Sequence, residues 1–73
     1  MSIQMQPIDS SAIRAAGHDP ETNTLAVQFV SGQTYQYANV PKLVYHELRT
    51  APSAGKYFQA RIRNNYSYSK GGA

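Results

Sequence analysis

The sequence predicts an α+β fold in which a three-stranded antiparallel meander is followed by two helices packed on one face of the sheet (β-β-β-α-α). Three observations support this prediction. Apolar residues alternate in the first half of the chain, a Ser-Gly pair separates two such segments, and the second half holds two apolar stripes at helical spacing. The 73 residues suffice for one domain, near the lower size limit for a chain that folds without disulfides or metal.

The domain boundaries follow from where these patterns begin and end. We expect residues 1–8 to be a flexible lead-in, residues 9–66 to form the single folded domain, and residues 67–73 to be a disordered tail. The first strand is predicted between Ser11 and Gly17, with Ile13 and Ala15 facing inward. A turn-rich segment follows, and the second strand then places three apolar side chains on one face: Leu25, Val27 and Phe29.

The turn at Gly32 decides where the two tyrosines of the third strand lie. A two-residue turn would pair Tyr35 with Gln28, whereas a three-residue loop with Gly32 as a left-handed bulge would pair Tyr35 with Val27. Glycine suits the left-handed position, so we favour the bulge. Tyr35 and Tyr37 should therefore share the buried face of the sheet.

Two helices are predicted in the second half of the chain. The first has Pro41 in its first turn and ends near Thr50, and Ser53 caps the start of the second. An apolar stripe on each helix should face the sheet: Val40, Val44, Leu48 and Ala51 on the first, and Ala54, Phe58 and Ile62 on the second.

Several classes of function are excluded by composition. The chain has no Cys, and its two histidines are far apart, so thiol chemistry and a zinc site are not expected. Gly55-Lys56 is no phosphate-binding loop, because a partner glycine and a following Ser or Thr are missing. The capped helix start beside it could still hold an anion, or only water. With no nucleophile–base pair evident, we expect no enzymatic activity, no cofactor, no metal and no small-molecule substrate.

The sequence also carries no signal peptide and no apolar run long enough to span a membrane. We therefore expect a soluble, cytoplasmic monomer.

Charge is distributed unevenly along the chain. Residues 1–41 hold one basic and three acidic residues, a net charge of −2, whereas residues 42–73 hold six basic residues and one acidic residue, a net charge of +5. A basic face of this kind fits either RNA or an acidic protein surface. Tyrosine and arginine are also frequent in binding sites of both kinds. The candidate partner-binding residues are Arg14, Lys42, Arg49, Lys56, Tyr57, Arg61, Arg63 and Tyr66.

The order of several motifs resembles the KTSC domain, a small domain found at the C-terminus of some lysyl-tRNA synthetases and as a free-standing bacterial or phage protein. The resemblance covers about residues 9–63 and includes "SSAIRAAGHD", "LAVQF", "VPKLVYHEL" and "SAGKYFQARIR". His18 departs from it, since the pattern suggests an aromatic residue such as tyrosine there. RNA binding is a role suggested for this family.

The length and the basic C-terminal half also resemble a small regulator that a lytic phage of Xanthomonas directs at host RNA polymerase. That resemblance implies a non-enzymatic protein that binds bacterial RNA polymerase in the host cytoplasm, inhibits initiation and causes antitermination. The alternative is a small RNA-binding module that uses basic helix residues and tyrosines. The sequence alone supports both classes about equally, and the phage resemblance favours the regulator.

Overall fold

The computed structural model describes residues 3–70, which form a five-stranded antiparallel sheet and two short helical segments. The strands lie in chain order across the sheet: β1 (Gln6–Pro7), β2 (Ile13–Asp19), β3 (Thr24–Phe29), β4 (Thr34–Tyr37) and β5 (Tyr68–Lys70). Helix α1 spans Lys42–Thr50, and helix α2 (Ala54–Tyr57) continues directly into a π-helical turn (Phe58–Ile62). Both helical segments follow β4, and the chain returns to the sheet with β5.

The predicted three-stranded meander with two helices is wrong, because β1 and β5 add one strand at each edge of the sheet. Both strands are too short to show an alternating pattern, and β5 is exposed along its whole length. They lie in the segments assigned above to a lead-in and a tail. Of those segments, residues 1–2 and 71–73 lie outside the described residues.

The predicted inward orientation of Ala15 is wrong, because β2 contains a β-bulge. Ile13 pairs with Phe29 but Ala15 already pairs with Gln28, so β2 holds one extra residue at this point. The extra residue turns Ala15 to the same face as Gln28 and brings Ala16 to the core beside Ile13. Simple alternation could not reveal this shift.

The structure confirms the register predicted for the hairpin of β3 and β4. Tyr35 pairs with Val27 and Tyr37 pairs with Leu25. Gly32 has a φ of 101°, and its N–H donates to the carbonyl oxygen of Phe29 at 2.9 Å. The two tyrosines therefore lie on the helix-covered face, where Tyr37 is buried and Tyr35 half-buried.

Gly32→Ala should destabilise the protein by about 1–2 kcal/mol, since a residue with a Cβ atom disfavours the left-handed conformation. No atom lies within 4 Å of where that Cβ atom would be, so the effect arises from backbone conformation alone. Urea denaturation, with Ser31→Ala as the matched control in the same loop, measures it. Equal midpoints for the two variants would contradict the bulge.

The core lies between the sheet and the helices. The predicted burial of Phe58, Ile62, Val27 and Leu48 is confirmed, with no more than 6% of any of them exposed. The Ser53 cap is also confirmed, because the Ser53 side chain accepts a hydrogen bond from the N–H of Lys56 at 3.3 Å. The full core cluster comprises Ile13, Ala16, Leu25, Val27, Tyr37, Val40, Leu48, Ala54, Phe58 and Ile62.

His18 joins the end of β2 to the start of α1. Its Nε2 atom lies 2.6 Å from the carbonyl oxygen of Val40, so this nitrogen holds the proton and donates it. The imidazole also stacks on Tyr45, with ring centroids 5.8 Å apart. His18 therefore links β2 to the start of the first helix through its hydrogen bond to Val40 and its ring contact with Tyr45.

Candidate functional site

A cleft of about 340 Å³ opens where the sheet faces the second helix. We call it the aromatic cleft, because five aromatic rings line it together with two polar side chains and three small or aliphatic residues. Its lining residues are Ala12, Ile13, Phe29, Tyr35, Tyr37, Gly55, Phe58, Gln59, Arg63 and Tyr68. Its volume lies at the lower end of the range for small-ligand pockets, which suits one planar ring better than an extended substrate.

Strand β5 brings the outermost ring to this cleft. Tyr68 pairs with Tyr37, and Lys70 pairs with Tyr35. The side chains of Tyr68 and Lys70 therefore lie on the cleft face of the sheet. The Tyr68 ring stacks on that of Tyr35, with centroids 5.3 Å apart and planes 30° apart. Tyr68 is nevertheless 58% exposed, so much of its ring surface remains open to solvent.

The inner rings are fixed by edge-to-face packing. Phe58 meets Phe29 at a centroid distance of 5.2 Å and Tyr37 at 5.5 Å, with interplanar angles of 76° and 80°. Phe29 also meets Tyr35 edge-on at 5.6 Å. Such contacts stabilise the rings beyond area burial, so the inner rings of the cleft hold one another in place.

The second helix supplies the polar groups of the cleft. Gly55, Gln59 and Arg63 recur every four residues and therefore lie along one helix face, beside the face that buries Phe58. The π-helical turn closes with a hydrogen bond of 2.9 Å from the N–H of Arg63 to the carbonyl oxygen of Phe58. Arg63 is exposed at the rim of the cleft and is close enough to oppose the raised pKa of Tyr37.

Three other residues from the sequence-based set gather beside the first helix. The Tyr57 hydroxyl donates a hydrogen bond to Oε1 of Glu47 at 2.6 Å. Burial and then this bond raise the pKa of Tyr57 to about 12, and Arg61 opposes the shift while Tyr66 adds to it. This group spans both helices, and Glu47 is the hydrogen-bond partner of the Tyr57 hydroxyl within the fold.

The remaining predicted residues do not line the cleft. Arg49 is exposed, with its guanidinium carbon 5.6 Å from the centroid of the Tyr45 ring. Arg14 lies on β2, Lys42 begins α1, and Lys56 lies in α2; all three are exposed. Of the eight residues, Arg63 alone lines the cleft, and partner contact by any of them stays a prediction.

Sequence reasoning missed Tyr68 and Lys70 as partners of the β4 tyrosines, because it placed them in the tail. The one available signal was weak: a tyrosine and a lysine two residues apart in "SYSK" have the spacing of one strand face.

A second, wider depression lies on the opposite face of the sheet. Ile3 and Met5 border it, and its polar lining includes Asp19, Glu21 and several threonines and glutamines. Gly17 permits the N-terminal segment to cross this face, since a Cβ atom there would collide with the carbonyl oxygen of Gln4. Its two carboxylates make this face a poor surface for an anionic partner.

Within residues 3–70, no cluster of three His, Cys, Asp or Glu side chains is arranged to hold a metal ion. None of the helices in this part of the chain is long and apolar enough to cross a membrane.

Comparison with known proteins places the chain beside a family already suggested by its motifs. A family model described as the KTSC domain matches residues 9–66. The crystal structure of a KTSC domain protein from Yersinia pestis superimposes with a TM-score of 0.90 at 36% identity, covering 97% of this chain and 100% of that one. A protein of Tsukamurella paurometabola is 42% identical over 62 residues, which are 85% of this chain and 92% of that protein.

A lysine–tRNA ligase of a Nostoc species also contains a similar segment. It is 40% identical over 62 residues, which are 85% of this chain but only 11% of the ligase. These relatives give no support to the resemblance with a phage regulator of RNA polymerase.

Proposed function

This chain belongs to the KTSC domain family, and we propose that it is a non-enzymatic module that binds single-stranded RNA at the aromatic cleft. The observation that supports this most is the exposed Tyr68 ring, held against Tyr35 with Arg63 at the same rim. Proteins that bind single strands combine aromatic rings, on which bases stack, with cations that follow the phosphates.

Charge favours RNA as the occupant of the cleft. Residues 42–73 hold a net charge of +5, and two of their cations, Arg63 and Lys70, lie on the cleft side of the sheet. The carboxylates of Asp19 and Glu21 lie at the depression on the opposite side. A polyanion should therefore approach from the cleft side.

The relatives add a second line of support. A segment similar to this chain occurs within proteins named lysine–tRNA ligase. A segment fused to an enzyme that handles tRNA is held near RNA, where weak binding would gain from a high effective concentration.

Binding to bacterial RNA polymerase, with inhibited initiation and antitermination, stays a prediction from the sequence. No contact among residues 3–70 favours a polymerase surface over RNA. The Tyr57 hydroxyl already donates its hydrogen bond to Glu47 within the fold.

The proposal is tested by comparing Arg63→Ala with Lys56→Ala. Both side chains are exposed, and Lys56 lies in α2 while Arg63 caps the π-helical turn that continues it, but only Arg63 lines the cleft. In fluorescence anisotropy with a labelled, unstructured single-stranded RNA, Arg63→Ala should weaken binding and lower the slope of log affinity against log salt by about 0.7, the value for one phosphate contact. Lys56→Ala should change both quantities less.

Two outcomes would contradict this proposal. Equal losses from the two variants would favour a diffuse basic face over the cleft. Absence of RNA binding by the wild-type chain, together with retention of a polymerase on the immobilised protein after nuclease treatment, would favour the regulator.

A further inference from the structure

The floor of the aromatic cleft contains a tyrosine hydroxyl without a protein partner. Tyr37 is only 3% exposed, yet its hydroxyl makes no hydrogen bond within the described range 3–70. Two other tyrosine hydroxyls in this range do have partners, since Tyr35 donates to Gln33 at 3.3 Å and Tyr57 donates to Glu47. A hydroxyl this deep in the fold usually has a partner.

The Tyr37 hydroxyl is not sealed in the core. Among residues 3–70, the one fully buried side-chain nitrogen or oxygen without a partner is Nδ1 of His18, so the Tyr37 oxygen retains contact with solvent space. Tyr37 lines the aromatic cleft, and this is where its free hydroxyl can reach a ligand.

This hydroxyl is a hydrogen-bond donor at neutral pH. Burial raises the pKa of Tyr37, the neighbouring phenols of Tyr68 and Tyr35 raise it further, and Arg63 opposes the shift. The phenol therefore keeps its proton. Arg63 is donor-only, because a guanidinium has five N–H groups and no acceptor, whereas the Tyr37 oxygen can also accept a hydrogen bond.

We infer that the aromatic cleft selects an RNA base bearing a carbonyl oxygen, with uracil preferred over adenine, and that Tyr37 is the residue that reads this oxygen. The inference rests on the RNA-binding function proposed above. Uracil presents carbonyl oxygens at its edge, whereas the corresponding edge of adenine presents an amino group, itself a donor. An adenine amino group in the place of that oxygen would meet the Arg63 guanidinium donor to donor, and a Tyr37 hydroxyl that accepts from it would leave its own proton without an acceptor on this group.

The base stacks on the outer rings while the hydroxyl reads its edge. Tyr68 supplies the exposed ring surface, and the edge-on packing of Tyr37 against Phe58 holds the Tyr37 ring in place. Stacking tolerates any base and gives at most a modest preference, so the part of the preference that depends on the Tyr37 hydroxyl is assigned to the hydrogen bond.

The experiment measures the affinities of oligo(U) and oligo(A) of equal length for the wild-type protein and for Tyr37→Phe. The wild type should bind oligo(U) about three- to tenfold more tightly, the range of one net hydrogen bond. Tyr37→Phe keeps the ring and removes only the hydroxyl, so it should weaken oligo(U) binding, leave oligo(A) binding nearly unchanged, and bring the ratio close to one. Tyr45→Phe, which removes a hydroxyl on α1 away from the cleft, should keep the wild-type ratio.

The outcomes separate this inference from the function on which it rests. Failure of the wild type to bind either oligonucleotide overturns both. Equal affinity of the wild type for the two oligonucleotides overturns the uracil preference, and a uracil preference that persists in Tyr37→Phe overturns the role of Tyr37; in both cases RNA binding itself stands. Should Tyr37→Phe fail to fold, NMR titration of the wild type with uridine and adenosine monophosphates decides the base preference by itself, since adenosine binding as tightly as uridine would overturn it.

Discussion

Phe58→Ala should destabilise the protein by about 3–5 kcal/mol, the range for removing a buried phenylalanine. Phe58 is 6% exposed and packs edge-on against Phe29 and Tyr37, so its loss leaves a cavity between the second helix and the sheet. A 73-residue chain has a total stability of roughly 4–11 kcal/mol by the usual value per residue. This one substitution should therefore remove a large part of the total stability, and at the lower end of that range it would unfold the protein at room temperature.

Urea denaturation followed by circular dichroism measures this effect, with Val30→Ala as its control. Val30 is an apolar residue that is 49% exposed, and its replacement should change the free energy of unfolding by no more than about 0.5 kcal/mol. A Phe58→Ala midpoint equal to that of Val30→Ala would show that the second helix does not pack on the sheet as described.

Tyr68→Ala should have the largest effect on RNA binding, a loss of about 1–3 kcal/mol, which is the range for one base stacked on an aromatic side chain. The ring is 58% exposed, so its removal should disturb the fold much less than that of Phe58. Fluorescence anisotropy with single-stranded RNA measures the loss, and thermal melting checks that the variant remains folded.

Two control variants make the Tyr68 result specific. Tyr68→Phe keeps the stacking surface and should bind RNA nearly as the wild type does. Leu43→Ala removes a side chain that is 64% exposed on α1 and should leave RNA affinity unchanged. Wild-type affinity in Tyr68→Ala would rule out stacking on this ring.

Local chemistry made part of the fold predictable from the sequence. Gly32 fixed the hairpin register because only a residue without a Cβ atom adopts its conformation easily, and the register in turn placed Tyr35 and Tyr37 on the covered face. The apolar spacing of the second helix likewise predicted the burial of Phe58 and Ile62.

The edge strands and the bulge could not be predicted in this way. A strand of two or three residues such as Gln6–Pro7 or Tyr68–Lys70 has no measurable period, and its pairing depends on residues distant in sequence. The bulge before Ala15 is a property of how β2 pairs with β3, and the composition of β2 does not reveal it.

The aromatic cleft was missed for the same physical reason. Its outermost ring comes from Tyr68, which follows both helices in the chain and pairs with Tyr37. The charge pattern did indicate the basic half that includes Arg63, but nothing in the sequence separated Arg63 from Lys56 or Arg61. That separation comes from the helix face on which each side chain lies.

The most direct test of RNA binding at the aromatic cleft is an NMR titration of the ¹⁵N-labelled wild-type protein with oligo(U). We expect the backbone amide signals of Gln59, Arg63, Tyr68 and Lys70 to shift most, since these residues line or flank the cleft. Signals near Asp19 and Glu21 on the opposite face should remain in place. Shifts confined to that opposite face or to the surroundings of Tyr57, with the cleft signals unchanged, would contradict binding at the cleft.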